Sequence, residues 1–261
     1  MLFLGFKILI ISPLSNIGTT TVSALVAQMA TYDNKTSHLI YTDSESPINE
    51  YLGVKNADDP TRSVMQIIKL IDSQALEDKD ILDYGHQYVH NSWILNTADK
   101  SLSVRDKSQV TSYIFSRAPC DLSICDCSED LQSELTLKLI DTADLIFVVC
   151  NTTRKSQIYL RSWIESPYLK EQKNVYIICN RYNEVTYSIR NFAKVIVQPP
   201  NRICKIHYNP WVEKCCNQRE LATVIPKARN FDPRVVKLYR DAAEIMQCIN
   251  TTIVMTTTGG L

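Results

Sequence analysis

Apolar runs of four to six residues alternate with stretches of helical periodicity along the first two-thirds of this 261-residue chain. The runs are apolar throughout, whereas a strand with one face in water has a polar residue at every second position. Uninterrupted apolar strands separated by helices are typical of a parallel sheet that helices cover on both faces. The alternation therefore predicts an α/β fold with a doubly wound, mostly parallel sheet.

The individual elements follow from the same periodicities. Near the carboxyl end, Asp232 and Pro233 are suited to the N-cap and first position of a last helix. The predicted strands are Lys7–Ile11, His38–Thr42, Ser92–Asn96, Asp121–Asp126, Leu145–Cys150, Val175–Cys179, Lys194–Val197 and Cys204–His207, and the other predicted helices are 19–31, 62–73, 107–116, 129–140 and 155–164.

Composition narrows the class of protein. Residues of the hydrophobic types make up 45% of the chain, and no linker or repeat is visible, so we expect one domain over residues 1–261 with a folded core to residue 250 and a Thr-rich tail from 251 to 261. Apolar stretches are too short for an integral membrane segment, and the amino terminus lacks a secretory pattern, which favours a cytoplasmic protein. Its nine cysteines fit that compartment as thiols, and their spacing is unlike a zinc site.

The segment from Ser12 to Val22 lies between the first predicted strand and the first predicted helix. In such a strand–turn–helix unit, backbone N–H groups and the helix dipole favour an anion such as a phosphate. A complete phosphate-binding loop also has a lysine and several glycines. Here only Gly18 and the Thr hydroxyls that follow it remain, so an ordinary capped helix is the alternative interpretation.

Three other predicted strands end in polar residues that suit a nucleotide site. Asp43 could orient an attacking water or shape a switch loop, and Asp126 could hold the water shell of Mg²⁺. The amide of Asn180 can both donate to and accept from a base edge. Each of these residue types is also common in helix caps and turns. Parallel strands, however, present their carboxyl ends at one edge of a sheet, where ligands of such folds bind.

With these motifs the chain resembles the ParA/MinD branch of the P-loop ATPases, whose deviant Walker A loop has the form K-G-G-x-G-K-T-T. The resemblance spans nearly the whole chain and implies a P-loop NTPase fold of the SIMIBI class. Gly18-Thr-Thr-Thr21 lies at the position of the family's G-K-T-T, and Asp43 lies at the position of its aspartate after the second strand. Asp126-Cys-Ser-Glu129 lies at the position of its D-T-P-P element, and Asn180-Arg181 lies at the position of its base-contacting N-R or N-K. Residues 205–217 resemble its I-P-Y-D-P element and the short helix that follows.

The resemblance implies ATP and Mg²⁺ as cofactors and a role for each matched residue. The phosphates would lie on the loop, the metal on Thr20 and Asp126, and the adenine beside Asn180 and Arg181, while Asp43 would serve catalysis or the switch region. The loop residues implied in nucleotide binding are Ser15, Asn16, Ile17, Gly18, Thr19, Thr20 and Thr21.

The chain departs from the family at the residues that matter for turnover. Leu14 and Thr19 replace the two lysines, and Ser15 and Asn16 replace the first glycines. Since phosphoryl transfer depends on positioned cations, hydrolysis is expected to be weak or absent. Eroded Walker A loops are best known from TadZ/CpaE-like pilus-localisation proteins.

The resemblance implies a homodimer that positions a cargo. In this family the cargo is DNA that is being partitioned, or pilus or secretion machinery, and a protein partner or cargo complex is expected to bind the dimer. A pseudo-ATPase that acts as a scaffold or regulatory subunit is the alternative. Residues 1–150 carry 11 Lys and Arg against 20 Asp and Glu, and residues 151–261 carry 17 against 8. The basic half leaves non-specific DNA binding open as a third possibility.

Overall fold

The structure is a computed structural model that describes residues 5–55, 59–97, 99–172, 174–185, 187–230 and 232–258. Its strands are β1 (Phe6–Ile11), β2 (Ser37–Tyr41), β3 (His86–Val89), β4 (Ser92–Asn96), β5 (Leu122–Cys127), β6 (Leu145–Cys150), β7 (Val175–Tyr182) and β8 (Ile203–His207).

These strands form one sheet in the order β3-β4-β2-β5-β1-β6-β7-β8. All neighbouring pairs are parallel except β3 and β4, which form an antiparallel hairpin at one edge. The helices are α1 (Thr19–Tyr32), α2 (Ile48–Leu52), α3 (Val64–Asp72), α4 (Val104–Arg117), α5 (Glu134–Thr142), α6 (Arg154–Ile164), α7 (Pro167–Lys170), α8 (Ile189–Val195), α9 (Pro210–Asn217), α10 (Val224–Arg229) and α11 (Val236–Thr258).

Helices cover both faces of the sheet, and β1 shows why its sequence is apolar throughout. Ile8 and Ile10 pack into the layer formed by α1, α2 and α9–α11, whereas Leu9 and Ile11 pack into the layer formed by α3–α8. All four side chains are fully buried. Because successive side chains of a strand point to opposite faces, a strand covered on both sides needs apolar residues at every position. The predicted doubly wound α/β fold is confirmed.

Several element boundaries differ from the prediction. The predicted strand Lys194–Val197 is wrong, because α8 extends into it and ends at Val195. Ser188 caps that helix, and Phe192 and Ile196, four residues apart, are both buried. The predicted helix 129–140 begins only at Glu134, where Ser133 accepts the N–H of Thr136 as its N-cap. Capping decides both boundaries, since it satisfies N–H groups that a helix start leaves unpaired.

The carboxyl-terminal helix begins and ends later than expected. Asp232 accepts the N–H of Arg234 in a turn that leads into α11, and the helix itself begins at Val236. It continues to Thr258, past residue 250 where the tail was expected, and Thr252 is buried. Within the described ranges, no helix combines the length and apolar character needed to cross a bilayer.

The sheet topology creates one crevice at the carboxyl ends of β1 and β5. These strands are neighbours, but α1 follows β1 on one face and α5 follows β5 on the other. Where consecutive helices leave to opposite faces, the loops between them separate and a ligand can enter. The segment after β1 and the end of β5 therefore meet at the place where doubly wound folds bind ligands.

Candidate functional site

The loop from Ser12 to Gly18 joins β1 to α1 and presents a row of unpaired backbone donors. Asn16 and Gly18 adopt left-handed conformations, with φ of 60° and 90°. The first N–H of α1 with an acceptor is that of Val22, which donates to Gly18 O at 3.0 Å. Within the described part of the chain, the N–H groups of residues 15–21 donate to no acceptor. A row of free amides at a helix N-terminus is an anion-binding arrangement.

The apolar residues of this loop pack inward. Ile17 is buried in the core on the α1 side of the sheet, and Leu14 is half-buried against the same core. Ser12 fixes the start of the loop, since its hydroxyl donates to Leu14 O and accepts the N–H of Leu14. Ser15 and Asn16 are exposed. The loop is therefore anchored by its apolar side chains while its polar face stays accessible.

Asp126 lies directly beside this loop, because its backbone position in β5 is level with Ile10 of β1 and Tyr41 of β2. Its carboxyl is buried, and burial, together with the charge of Asp43, raises its pKa to about 7. The neighbouring Thr20 and Ser23 hydroxyls lower the pKa of this carboxyl in opposition to burial. The structure thus brings together Thr20 and Asp126, the two predicted metal ligands.

Asp43 lies at the end of β2 in an exposed turn, where its carboxylate accepts the N–H of Glu45 at 2.9 Å. Its charge reaches Asp126, which places both predicted carboxylates at the same edge of the sheet. Ser23 was not predicted as part of this site, although it follows Thr19 by one helical turn and donates its hydroxyl to Thr19 O.

Asn180 contacts the loop itself. Its side-chain nitrogen donates to Ile17 O at 2.7 Å, and the residue is 7% exposed. A Cβ added at Gly18 would lie 2.4 Å from that nitrogen, closer than real atoms approach. Gly18 is thus required twice, for its left-handed backbone and for the passage of the Asn180 amide. Sequence reasoning placed Asn180 near a base and missed this contact with the loop.

A cavity of about 270 Å³ opens next to Gly18 and Asn180, between the carboxyl ends of β7 and β8 and helix α9. Neither Leu14 nor Ile17 lines it. Arg181 lies at its rim, exposed, with its guanidinium 3.8 Å from the Glu213 carboxylate. The residues of the wall include Thr21, Tyr51, Arg181, His207, Tyr208 and Glu213.

A buried pair that sequence reasoning missed supports this wall. Asp241 of α11 accepts the backbone N–H of His207 at 2.8 Å and lies 2.9 Å from its ring Nδ1. Asp241 is 3% exposed, so the pair joins the end of β8 to α11 inside the protein. The two residues are 34 positions apart, and no local pattern indicates their contact.

Solved structures with the same architecture are numerous. A ParA family ATPase from Chlorobium tepidum has a TM-score of 0.67 at 14% identity, over 90% of this chain and 96% of that one. MinD from Aquifex aeolicus has a TM-score of 0.68 at 15% identity, over 92% and 97%. MinD from Pyrococcus horikoshii, in complex with Mg-ADP, has a TM-score of 0.67 at 16% identity, over 92% and 96%. This chain has the ParA/MinD fold.

The likeness is one of structure and not of sequence: no protein-family model and no curated protein matches the chain. The predicted ParA/MinD-type P-loop fold is confirmed at the level of architecture. The loop of this chain has no lysine, and two lysines elsewhere form ion pairs with the loops at the same edge of the sheet. Lys107 forms an ion pair with Glu129 on the loop after Asp126, and Lys100 forms one with Glu45 on the loop after Asp43. The Lys107–Glu129 pair is largely shielded from solvent, whereas the Lys100–Glu45 pair is exposed and therefore weak.

Proposed function

We propose that this protein binds a nucleoside triphosphate, with Mg²⁺, in the crevice between β1 and β5. The observation that carries the proposal is the row of backbone N–H groups from Ser15 to Thr21 without acceptors in the described part of the chain. Unpaired donors at a helix N-terminus attract a phosphate without the help of a side-chain ammonium group. A MinD of the same fold carries Mg-ADP, which supports this choice of ligand.

The Mg²⁺ proposal rests on the donor set at Asp126. Oxygen ligands and a carboxylate suit this hard cation, and the Thr20 hydroxyl lies within hydrogen-bonding reach of the Asp126 carboxyl. Burial, with the charge of Asp43, raises the pKa of Asp126, and a bound divalent cation would act in the opposite direction. We therefore assign Thr20 to the metal and Asp126 to the metal or its water shell.

The base is assigned to the cavity beside Asn180. Its volume of about 270 Å³ and its position next to Gly18 fit the adenine side of a nucleotide whose phosphates lie on the loop. Asn180 uses its donor on Ile17 O, which leaves its carbonyl oxygen to accept from an exocyclic amine. Arg181 is exposed at the rim, where its guanidinium can stack on a base.

Turnover is proposed to be weak or absent. Loss of one stabilising charge contact in phosphoryl transfer typically costs ~10²-fold or more in rate. Lys100 and Lys107 are held by Glu45 and Glu129, so neither replaces the loop lysine without breaking an ion pair. Asp43 remains the candidate for orienting an attacking water.

We further propose that the protein acts as a nucleotide-dependent homodimer that positions a cargo. That cargo is either a protein complex or DNA. Partition, pilus and secretion systems are the settings that the ParA/MinD resemblance suggests, including the TadZ/CpaE-like proteins. Four exposed cations on one face of the sheet favour an anionic partner surface there: Arg154 and Lys155 on α6, and Arg190 and Lys194 on α8.

The test combines binding and turnover. Calorimetric titration with Mg-ATP, its non-hydrolysable analogue and ATP in EDTA is expected to give saturable binding that requires the metal, with little phosphate release. Thr20→Ala and Asp126→Ala should lose Mg-dependent binding, while the control Asp72→Ala, on an exposed carboxylate at the end of α3, should retain it. Equal affinity in all four proteins would refute the site.

A scaffold without nucleotide is the second candidate. It is favoured by the hydrogen bond from Asn180 to Ile17 O, which holds loop and cavity together in the absence of ligand. Absence of any thermal shift with Mg-ATP would support it. Steep loss of DNA binding between low and moderate salt would instead identify DNA as the cargo.

A further inference from the structure

Two cysteines that are distant in sequence meet between β8 and α11. The thiols of Cys204 and Cys248 lie 3.5 Å apart and share a hydrogen bond. Cys204 is buried on the sheet, whereas Cys248 on the helix is partly exposed. Both sulfurs are free thiols. A disulfide bond requires ~2 Å between sulfurs, so oxidation must draw the two sulfurs closer than their present contact.

We propose that Cys204 and Cys248 form a reversible disulfide when the protein meets a hydroperoxide, and that this bond locks α11 onto β8. The proposal is independent of nucleotide binding, since it rests on the contact between the two thiols alone.

The chemistry assigns a different role to each sulfur. Cys248 is the attacking group because it is partly exposed and because the hydrogen bond from Cys204 lowers its pKa, whereas the neighbouring Cys248 thiol and burial raise the pKa of Cys204. The Cys248 thiolate attacks one peroxide oxygen and the O–O bond breaks, which leaves a sulfenic acid on Cys248. The departing oxygen takes up the proton that the Cys248 thiol had released, and it leaves as water from hydrogen peroxide or as an alcohol from an organic hydroperoxide. The Cys204 sulfur then attacks the sulfenic sulfur and forms the S–S bond, while its proton and the sulfenic hydroxyl leave as water. Overall, two thiols are oxidised and one hydroperoxide is reduced.

The same two elements carry the pair that supports the cavity wall. Cys204 precedes His207 by three residues in β8, and Cys248 follows Asp241 by seven residues, or two helical turns, in α11. The Cys204–Cys248 contact and the His207–Asp241 contact therefore lie along one seam between strand and helix. A covalent bond at one point of this seam restrains the other.

The chain contains a matched internal control. Cys150 and Cys179 are register neighbours on β6 and β7, but both are fully buried, and the Cys150 thiol donates to Ile178 O. Burial raises the pKa of Cys150 well above its usual value. Thiolate character and access decide which cysteines react, so this second pair should resist the oxidant that the first pair consumes.

The experiment treats the folded protein with dilute hydrogen peroxide, blocks remaining thiols with iodoacetamide and maps peptides by mass spectrometry. The expected result is a Cys204–Cys248 linked peptide, alkylated Cys150 and Cys179 only after unfolding, and reversal by dithiothreitol. The oxidised protein should show a higher urea midpoint, because the bond closes a long loop. Slower amide exchange in α11 should accompany that change.

Two variants make the assignment decisive. Cys204→Ser should leave Cys248 as a sulfenic acid that dimedone traps, and Cys248→Ser should lose both the linked peptide and the change in midpoint. The proposal is overturned if peroxide links other cysteines first, if Cys150 reacts as fast as Cys248, or if the linked protein unfolds at an unchanged urea concentration.

Discussion

Replacement of Asp126 by Asn tests the electrostatics of the crevice directly. The carboxyl is buried beside Thr20 and Ser23, and burial with the Asp43 charge raises its pKa to about 7 from a usual 3.8. The folded protein therefore binds this proton more tightly than the unfolded chain does. Between about pH 4 and about pH 7 the Asp126 carboxyl is ionised in the unfolded chain but still protonated in the folded protein. The free energy of unfolding therefore falls as the pH rises through this interval. Above pH 7 the full penalty remains.

The size of the penalty follows from the pKa change. A pKa raised from 3.8 to about 7 corresponds to roughly 4 kcal/mol at 1.36 kcal/mol per pKa unit. Asn has the same shape and keeps an acceptor oxygen for the Thr20 hydroxyl. In the absence of metal, Asp126→Asn should thus be more stable than the wild type by at most about 4 kcal/mol at pH 8 and by little at pH 4.

Urea unfolding in EDTA between pH 4 and pH 8 measures this difference. The wild-type profile alone is not diagnostic, because His38 titrates in the same interval. Burial lowers the pKa of His38 to about 3, so the contribution of this residue to the free energy of unfolding falls as the pH falls from about 6.5 to about 3. The His38 contribution cancels in the difference between variant and wild type. A variant that is less stable than the wild type at pH 8, or a difference that does not grow with pH, would refute the reasoning.

Three further substitutions probe the loop and the cavity wall. Gly18→Ala should destabilise the fold by ~1–3 kcal/mol and weaken nucleotide binding, because its Cβ would meet the Asn180 nitrogen and its φ is 90°; equal urea midpoints would contradict this. Thr19→Lys restores the family's cation and should tighten Mg-ATP binding in calorimetry, and unchanged affinity would show that the loop is not a phosphate site. Asp241→Ala leaves the His207 N–H unpaired and should cost ~1–3 kcal/mol in urea unfolding, whereas a neutral effect would mean that water replaces the carboxylate.

Local patterns in the sequence determined the layered architecture. Residues such as Ile8–Ile11 are apolar because both faces of β1 are covered. This pattern can be recognised from the sequence of the one segment alone. The order of strand, turn and helix at Ser12–Val22, and the polar residues at the ends of β2, β5 and β7, are local in the same sense. Since parallel strands align their carboxyl ends, the meeting of Thr20 and Asp126 could be predicted without coordinates.

Contacts between distant segments could not be predicted from the sequence. Lys194–Val197 has the composition of a strand, and the cap at Ser188 with the burial of Phe192 turned it into the end of α8. The hydrogen bond from Asn180 to Ile17 O spans 163 positions, and the Cys204–Cys248 and His207–Asp241 contacts depend on how α11 lies on β8. The sequence specifies which side chains reach the edge of the sheet, because strand direction is a local property. Only tertiary packing decides which of them touch, because their separation depends on how distant helices are placed.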